Sequence, residues 1–432
     1  MKFQTPRGTR DFLPEEMIKR TFVLDTVRRV FEKWGFDPIE TPAFEEWNLL
    51  AAKSGGGEAI KEEVYYFRDK SDRELGLRFD LTVPTARVVA NNPDLPKPFR
   101  RYQIGPVWRY DRPGAGRYRE FWQCDVDIFG SSSPEADAVT IATACDALRE
   151  LGFNDFVVRI NNRRIIEAFL NSISVRDAKS VFRSIDKLEK FGEKTVVEEL
   201  KEKGIEKNSI NKILDFIKIN DLDKISDLLK NEKLGKEGVE EIRNILETIK
   251  NMGFGKNAKF DPSLVRGLDY YTSVVFEIVT KDSGLSIAGG GRYDNLIELF
   301  GGRPTPATGI SLGIERIIEI MEKKGMFDLP KTGTTVFVAN VSDPEDAMKI
   351  AEKLISLGTA AEFDVCGRNL SKQLEYVNSK GIPYTIVVGK KEMESRTIKL
   401  RDMKSGNEKE FPLDDVKKLA EYMVSQVRKP AR

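Results

Sequence analysis

Apolar residues recur at helical spacing across residues 15–34, where Ile18, Phe22, Val23, Val27, Val30 and Phe31 alternate with charged positions. Gly35 follows, at a place where a left-handed cap is easily accommodated. Residues 36–44 are extended but twice interrupted by proline, at Pro38 and Pro42, which suits the edge of a sheet better than its centre. The glycines at 55–57 predict a loop over 55–58, and residues 64–68 and 75–80 a hairpin with a polar turn at 69–73. Residues 78–90 pass from strand to helix, with Thr82 as N-cap or Pro84 in the first turn. Two alternating runs, 102–109 and 121–129, flank a break made by Pro113, Gly114 and Gly116, and they predict a second, longer hairpin. A helix over 134–151 and a strand over 156–160 follow.

From about 165 to 253 the pattern changes to Lys, Glu, Leu, Ile and Asn at helical period, without tryptophan or proline, which predicts a small all-helical insertion with solvated charged faces. Strand character returns at 274–279, and residues 308–317 read as strand, glycine and helix. A linker near 326–333 precedes a last segment, 333–432, in which strands and helices alternate and predict a mixed sheet covered by helices.

At 432 residues the chain is long enough for two or three domains. Lys and Arg number 70 against 69 Asp and Glu, so the net charge of +1 announces no polyanion partner, and any RNA contact must come from local patches. Cys124, Cys145 and Cys366 have no paired spacing, which argues against both a zinc site and a disulfide framework. No apolar run reaches the roughly 20 residues of a membrane span, and the first residues carry no targeting pattern, so a soluble, cytoplasmic protein is expected. The chain contains no histidine. Ser-His hydrolysis, His-ligated zinc chemistry and phosphohistidine chemistry are thereby excluded.

The candidate chemistry gathers around the second hairpin. Arg109, Arg112, Arg117 and Arg119 surround its turn, with Arg101 further upstream, and their planar forks suit phosphate oxygens. On the return strand Phe121, Gln123, Asp125 and Asp127 share one face by strand spacing. A cationic turn beside an acidic and amide patch suggests one site for a phosphate and an amine together. Asp80 and Thr82 lie two apart on an extended chain and could accept an ammonium group, or simply cap the helix. Arg266, Asp269, Tyr270 and Tyr271 cluster around Gly267, where backbone can approach a ligand, although paired tyrosines are equally at home in a core. Gly289, Gly290 and Gly291 offer bare backbone to a pocket, and Arg316 projects from a helix start.

The string GRYREFWQCDVDIFG, with Arg109 ahead of it, resembles motif 2 of class II aminoacyl-tRNA synthetases, in the form found in histidyl-tRNA synthetases of the archaeal and eukaryotic type. RFDLT (Arg78 to Thr82), LVRGLDYYT (Leu264 to Thr272) and AGGGRYDNL (Ala288 to Leu296) are similar to that family's amino-acid-binding segments, and TGISLGIERI (Thr308 to Ile317) is similar to class II motif 3. The helix and proline-bearing edge strand near the start resemble motif 1, which implies a homodimer. Two departures stand out. Ser273 replaces the usual glycine, and Asp127 stands where bacterial relatives often carry glutamate, one methylene longer.

The resemblance implies an α+β catalytic domain built on an antiparallel sheet (1–325), a helical insertion (165–253) and a C-terminal α/β anticodon-binding domain (333–432). It implies activation of histidine with ATP and Mg²⁺ and transfer to the 3′ end of tRNA(His). Carried over by position, Asp80, Leu81, Thr82, Gln123, Asp127, Tyr270 and Tyr271 belong to the histidine site, where Asp80, Thr82 and Gln123 hold the amino group and Asp127 and Tyr271 read the imidazole. Arg109, Asp111, Arg117, Phe121 and Arg316 belong to the ATP site, and Arg266 bridges the substrate carboxylate and α-phosphate. The alternatives are a silent paralogue that senses histidine and a nucleic-acid-binding module. Such paralogues typically lack the C-terminal domain and carry eroded motifs, whereas Arg109, Arg266, Arg316 and the last hundred residues are all present.

Overall fold

The computed structural model describes residues 3–52, 62–114, 116–265, 270–281, 286–341 and 343–427. The loop expected at 55–58, together with Arg266, Gly267 and Asp269, lies outside the described residues. Packing divides the chain into two units: Met1–Arg10 with Val23–Lys323, and Asp11–Phe22 with Lys324–Arg432.

The alternating runs of the second hairpin become β5 and β6 of the first unit. In chain order its strands are β1 (Asp37–Pro38), β2 (Phe44–Glu46), β3 (Tyr66–Arg68), β4 (Glu74–Leu77), β5 (Phe99–Trp108), β6 (Glu120–Phe129), β7 (Phe156–Asn162), β8 (Ala258–Phe260), β9 (Val274–Thr280), β10 (Ser286–Arg292) and β11 (Ala307–Gly313). Eight of them form one sheet in the order β1-β5-β6-β11-β10-β9-β7-β8, antiparallel except where β1 meets β5 and β7 meets β8. The proline-bearing β1 sits at the edge, where a missing N–H costs no ladder bond. The first predicted hairpin is β3 and β4, completed into a three-stranded sheet by β2.

One face of the large sheet carries the apolar helix Pro134–Glu150, which packs on β6, β10 and β11 and buries Ile141, Ala144 and Leu148. The helical stretch attaches to this layer through the helix Lys233–Asn251, which packs against Pro134–Glu150 and Arg163–Ser172 and buries Val239, Ile242, Ile245 and Ile249. The other face is polar at the centre.

Of the triple glycine, Gly289 lines a cavity, while Gly290 and Gly291 also serve packing. Gly289, Gly290 and Gly291 lie inside β10, in register with Ser311, Ile310 and Gly309 of β11. What matters is the missing side chain: a Cβ on Gly290 would fall 2.0 Å from the Gly309 carbonyl oxygen, and one on Gly291 2.7 Å from the Tyr271 ring.

The second unit holds β12 (Val336–Asn340), β13 (Ala361–Phe363), β14 (Tyr384–Val388), β15 (Thr397–Asp402) and β16 (Glu408–Pro412) in the order β13-β12-β14-β15-β16. The short helix Lys390–Ser395 and the strand β16 are additions to the sequence reading. β16 is a charged edge strand, exposed at every position but Phe411, so it lacks the apolar alternation that marks a strand. Among the described residues no helix is long and apolar enough to cross a membrane.

Candidate active site

The polar face of the sheet floors a cavity of about 860 Å³. Strand pairing dictates its floor. Register places Arg101, Asp127 and Gly309 side by side on β5, β6 and β11, then Gln103, Asp125 and Ser311, then Gly105, Gln123 and Gly313. Because alternate residues share a face, this grid presents Gln123, Asp125 and Asp127 together, and all three line the cavity with Phe121.

Asp127 is held from two sides. Arg101, itself fully buried, brings a guanidinium nitrogen 2.5 Å from one carboxylate oxygen, a charge pairing without hydrogen-bond alignment. The Tyr293 hydroxyl donates to the other oxygen. Gly309 makes room: a Cβ there would lie 1.9 Å from Asp127 Oδ1. Gly309→Ala is therefore expected to displace Asp127 and to destabilise the protein by about 1–3 kcal/mol. Thermal unfolding against Gly313→Ala, whose Cβ meets nothing closer than 3.7 Å, checks this. Equal melting temperatures for the two variants would refute it.

Gln123 donates to Ser311 Oγ at 2.7 Å, while its carbonyl oxygen is buried without a partner. Asp80 accepts from the Val83 N–H at 2.9 Å at the start of the helix Thr82–Asn91, whose N-cap is Leu81 and whose first residue, not its cap, is Thr82. Asp80 and Thr82 both lie in the cavity wall. Leu81 is fully buried in the core, so any ligand contact there would be through its backbone. Tyr270 and Tyr271 close this end, their rings 4.6 Å apart and their hydroxyls 3.4 Å apart.

The opposite end is cationic. Arg109 is anchored by donating to the Phe79 carbonyl at 2.9 Å, and its guanidinium lies 5.0 Å over the Phe121 ring. Arg316 comes from the first turn of the helix Ile314–Lys323 and donates to the Ser286 carbonyl at 2.7 Å. Asp111 and Arg117 line the same wall, 3.9 Å apart. Arg119 turns away, bonding the Asp111 carbonyl at 3.1 Å and stacking on Tyr110, and Arg112 is exposed. Arg101 is no part of a phosphate clamp, because strand pairing puts it in the floor opposite Asp127. The helical stretch contributes Glu189 and Lys190 to the wall, with Glu189 2.5 Å from Arg159 of β7.

Of the residues singled out from the sequence, Asp80, Thr82, Arg109, Asp111, Arg117, Phe121, Gln123, Asp127, Tyr270, Tyr271 and Arg316 line this one cavity. Tyr293 and the Arg101 pairing with Asp127 were not foreseen. The signal available for Arg101 was a charged residue two positions from Gln103, and so on the same face, inside a strand.

Known proteins match this arrangement along nearly the whole chain. A family model described as histidyl-tRNA synthetase matches residues 8–317, and one described as an anticodon binding domain matches 335–421. A histidine–tRNA ligase of Pyrococcus abyssi is 41% identical over 418 residues, covering 95% of this chain and 96% of the relative. The crystal structure of histidyl-tRNA synthetase from Nostoc sp. PCC 7120 superposes with a TM-score of 0.86 at 34% identity, covering 99% of this chain and 100% of that one. A structure from Bacillus halodurans, described as an ATP phosphoribosyltransferase regulatory subunit/histidyl-tRNA synthetase, gives a TM-score of 0.75 at 25% identity over 87% of this chain and 97% of its own. With its antiparallel sheet, its polar and cationic cavity and matches that run end to end, the chain belongs to the histidyl-tRNA synthetase family.

Proposed function

We propose that the cavity activates histidine with ATP and passes the histidyl group to the 3′ end of tRNA(His). The observation that carries this is the convergence of a carboxylate and tyrosine end with an arginine end in one cavity. In the ligand-bound site Asp80, Thr82 and Gln123 hold the α-ammonium group, and Asp127 and Tyr271 read the imidazole, with Tyr270 packed against Tyr271. Two polar contacts to a ring give strong discrimination, because an apolar mimic leaves both groups unpaired. Arg109 and Arg316 bracket the α- and γ-phosphates, Asp111 and Arg117 stand beside them, and Phe121 stacks on adenine.

Catalysis on this reading is orientation plus electrostatic stabilisation of the charge that builds on the α-phosphate. It requires no histidine side chain, and the chain has none. Among the described residues no cluster of three or more Asp, Glu, His or Cys side chains could hold an ion by itself. Mg²⁺ would be held largely by the oxygens of the triphosphate, whose charge it would offset.

Residues 1–325 form the catalytic domain, 165–253 the insertion that approaches the acceptor arm, and 333–432 the domain that meets the anticodon. A cytoplasmic homodimer built on the β1 edge and the helix Pro14–Lys33 completes the assignment. Pyrophosphate–ATP exchange with each amino acid in turn, without tRNA, tests the activity. Exchange with histidine alone is expected, and exchange with none from a folded protein would overturn the reading. Arg266→Ala is expected to impair adenylate formation far more than tRNA binding, and equal losses in exchange and in tRNA affinity would remove its assigned role.

A further inference from the structure

Asp125 has no part in the assignments above, yet it occupies the middle of the cavity floor. Its side chain is 2% exposed, it lines the cavity, and Oδ1 is buried without a hydrogen-bond partner. The unpartnered carbonyl oxygen of Gln123 lies two residues away on the same face of β6. Two buried acceptors side by side in a cavity call for a donor.

The surrounding charges indicate which kind. The segment before the helix Thr82–Asn91 supplies Asp80 and Arg78, β5 supplies Arg101 and the neutral Gln103, β6 supplies Asp127, and β11 supplies Ser311. Arg78 is already committed to the carbonyls of Thr41 and Pro106, at 2.6 and 2.9 Å. Among the described residues three carboxyl groups gather here with two guanidinium groups, and Arg78 is shared with Glu40 and Glu45, so the layer favours a retained proton or an entering cation. Arg101 is paired with Asp127, and burial pushes Asp125 up to about 7, with Arg101 and the Ser311 hydroxyl opposing the rise and Asp127 and Asp80 adding to it.

We infer that Asp125 is a further substrate-binding residue, a third carboxylate that takes the ammonium group of the bound amino acid with Asp80 and releases its own proton to solvent as it does so. The inference rests on the proposed amino-acid site. In the empty cavity the proton offsets the negative charge around Asp125, and in the filled cavity the ammonium group does. The proton leaves Asp125 for buffer, and no covalent bond changes. Amino-acid binding is thereby linked to pH: the apo site holds its proton below about pH 7, so affinity falls as the pH drops through that value.

Calorimetric titration of the full-length protein, in buffers of different ionisation enthalpy, reads the proton directly. The probes are histidine and a histidine analogue whose ring is a triazole, uncharged across the range. With the analogue, wild-type protein is expected to release about half a proton at pH 7, close to one at pH 6 and almost none at pH 8. Asp125→Asn, which mimics the protonated acid, is expected to release none and to raise the KM for histidine about tenfold with a smaller change in kcat. Release that is flat with pH in the wild type would overturn the inference even if the variant fails to fold. Identical proton counts in wild type and variant would do the same. In both cases tight histidine binding and intact exchange would leave the activity assignment standing. A wild-type protein that binds neither probe would remove the amino-acid site and this inference with it.

Discussion

Arg101→Leu is expected to cost about 3–5 kcal/mol of folding stability, a fall of the melting temperature on the order of 10 °C. The reason lies in what is left behind. Arg101 has no exposed surface, and its guanidinium supplies the positive charge nearest Asp127, 2.5 Å away. Without it Asp127 is a buried carboxylate supported by the Tyr293 hydroxyl alone, and Asp80 nearby is of the same sign. Burial already holds the Asp127 carboxyl above its usual range, with Arg101 the leading influence in the other direction. Loss of Arg101 therefore drives Asp127 to take a proton, which would also spoil it as an acceptor for an imidazole N–H. Asp127→Asn placed on top of Arg101→Leu is expected to recover part of the lost stability, since the two residues share one interaction. Thermal unfolding of both single variants and the double decides it. Strictly additive losses would mean that the pairing at the floor contributes nothing beyond packing.

Much of this site is legible in the sequence because strands impose a simple rule. The positions 121, 123, 125 and 127 share a face whatever surrounds them, and all four line the cavity. Asp80 and Thr82, and Arg316 at a helix start, are equally local features. What sequence alone does not give is the cross-strand register. Arg101 reads as one more arginine near a cationic turn until its pairing with Asp127 places it beneath the site. Gly290 reads as bare backbone for a pocket and Gly309 carries no signal of its own, although both are clearances for atoms that arrive from other strands. Arg292 lies within a segment singled out for its glycines, yet it is a buried partner of Asp137, 155 residues away, at 2.6 Å. These contacts join residues far apart in sequence, and no local pattern encodes them. In the second unit the cost of locality is the reverse: β16 is real pairing without an apolar signature.

Arg316→Ala is expected to lower the rate of histidine-dependent pyrophosphate–ATP exchange by about 10²–10³-fold while leaving histidine affinity within about twofold. The split follows from the layout of the cavity, whose carboxylate end is separate from its arginine end. Arg316 is also held in place before any ligand arrives. Its guanidinium donates to the Ser286 carbonyl at 2.7 Å, and the adjacent Glu315 accepts the Trp122 N–H at 3.1 Å, tying the first turn of its helix to β6. A charge fixed in this way needs no reorganisation when negative charge develops on the transferring phosphoryl group, which is where such a group contributes most. Arg316→Lys keeps the charge but loses the planar fork, so it should fall between wild type and alanine. Calorimetric titration with histidine and exchange assays on the same preparations separate the two effects. A parallel loss of histidine affinity would place Arg316 among the groups that hold the cavity in shape rather than among those that act on ATP.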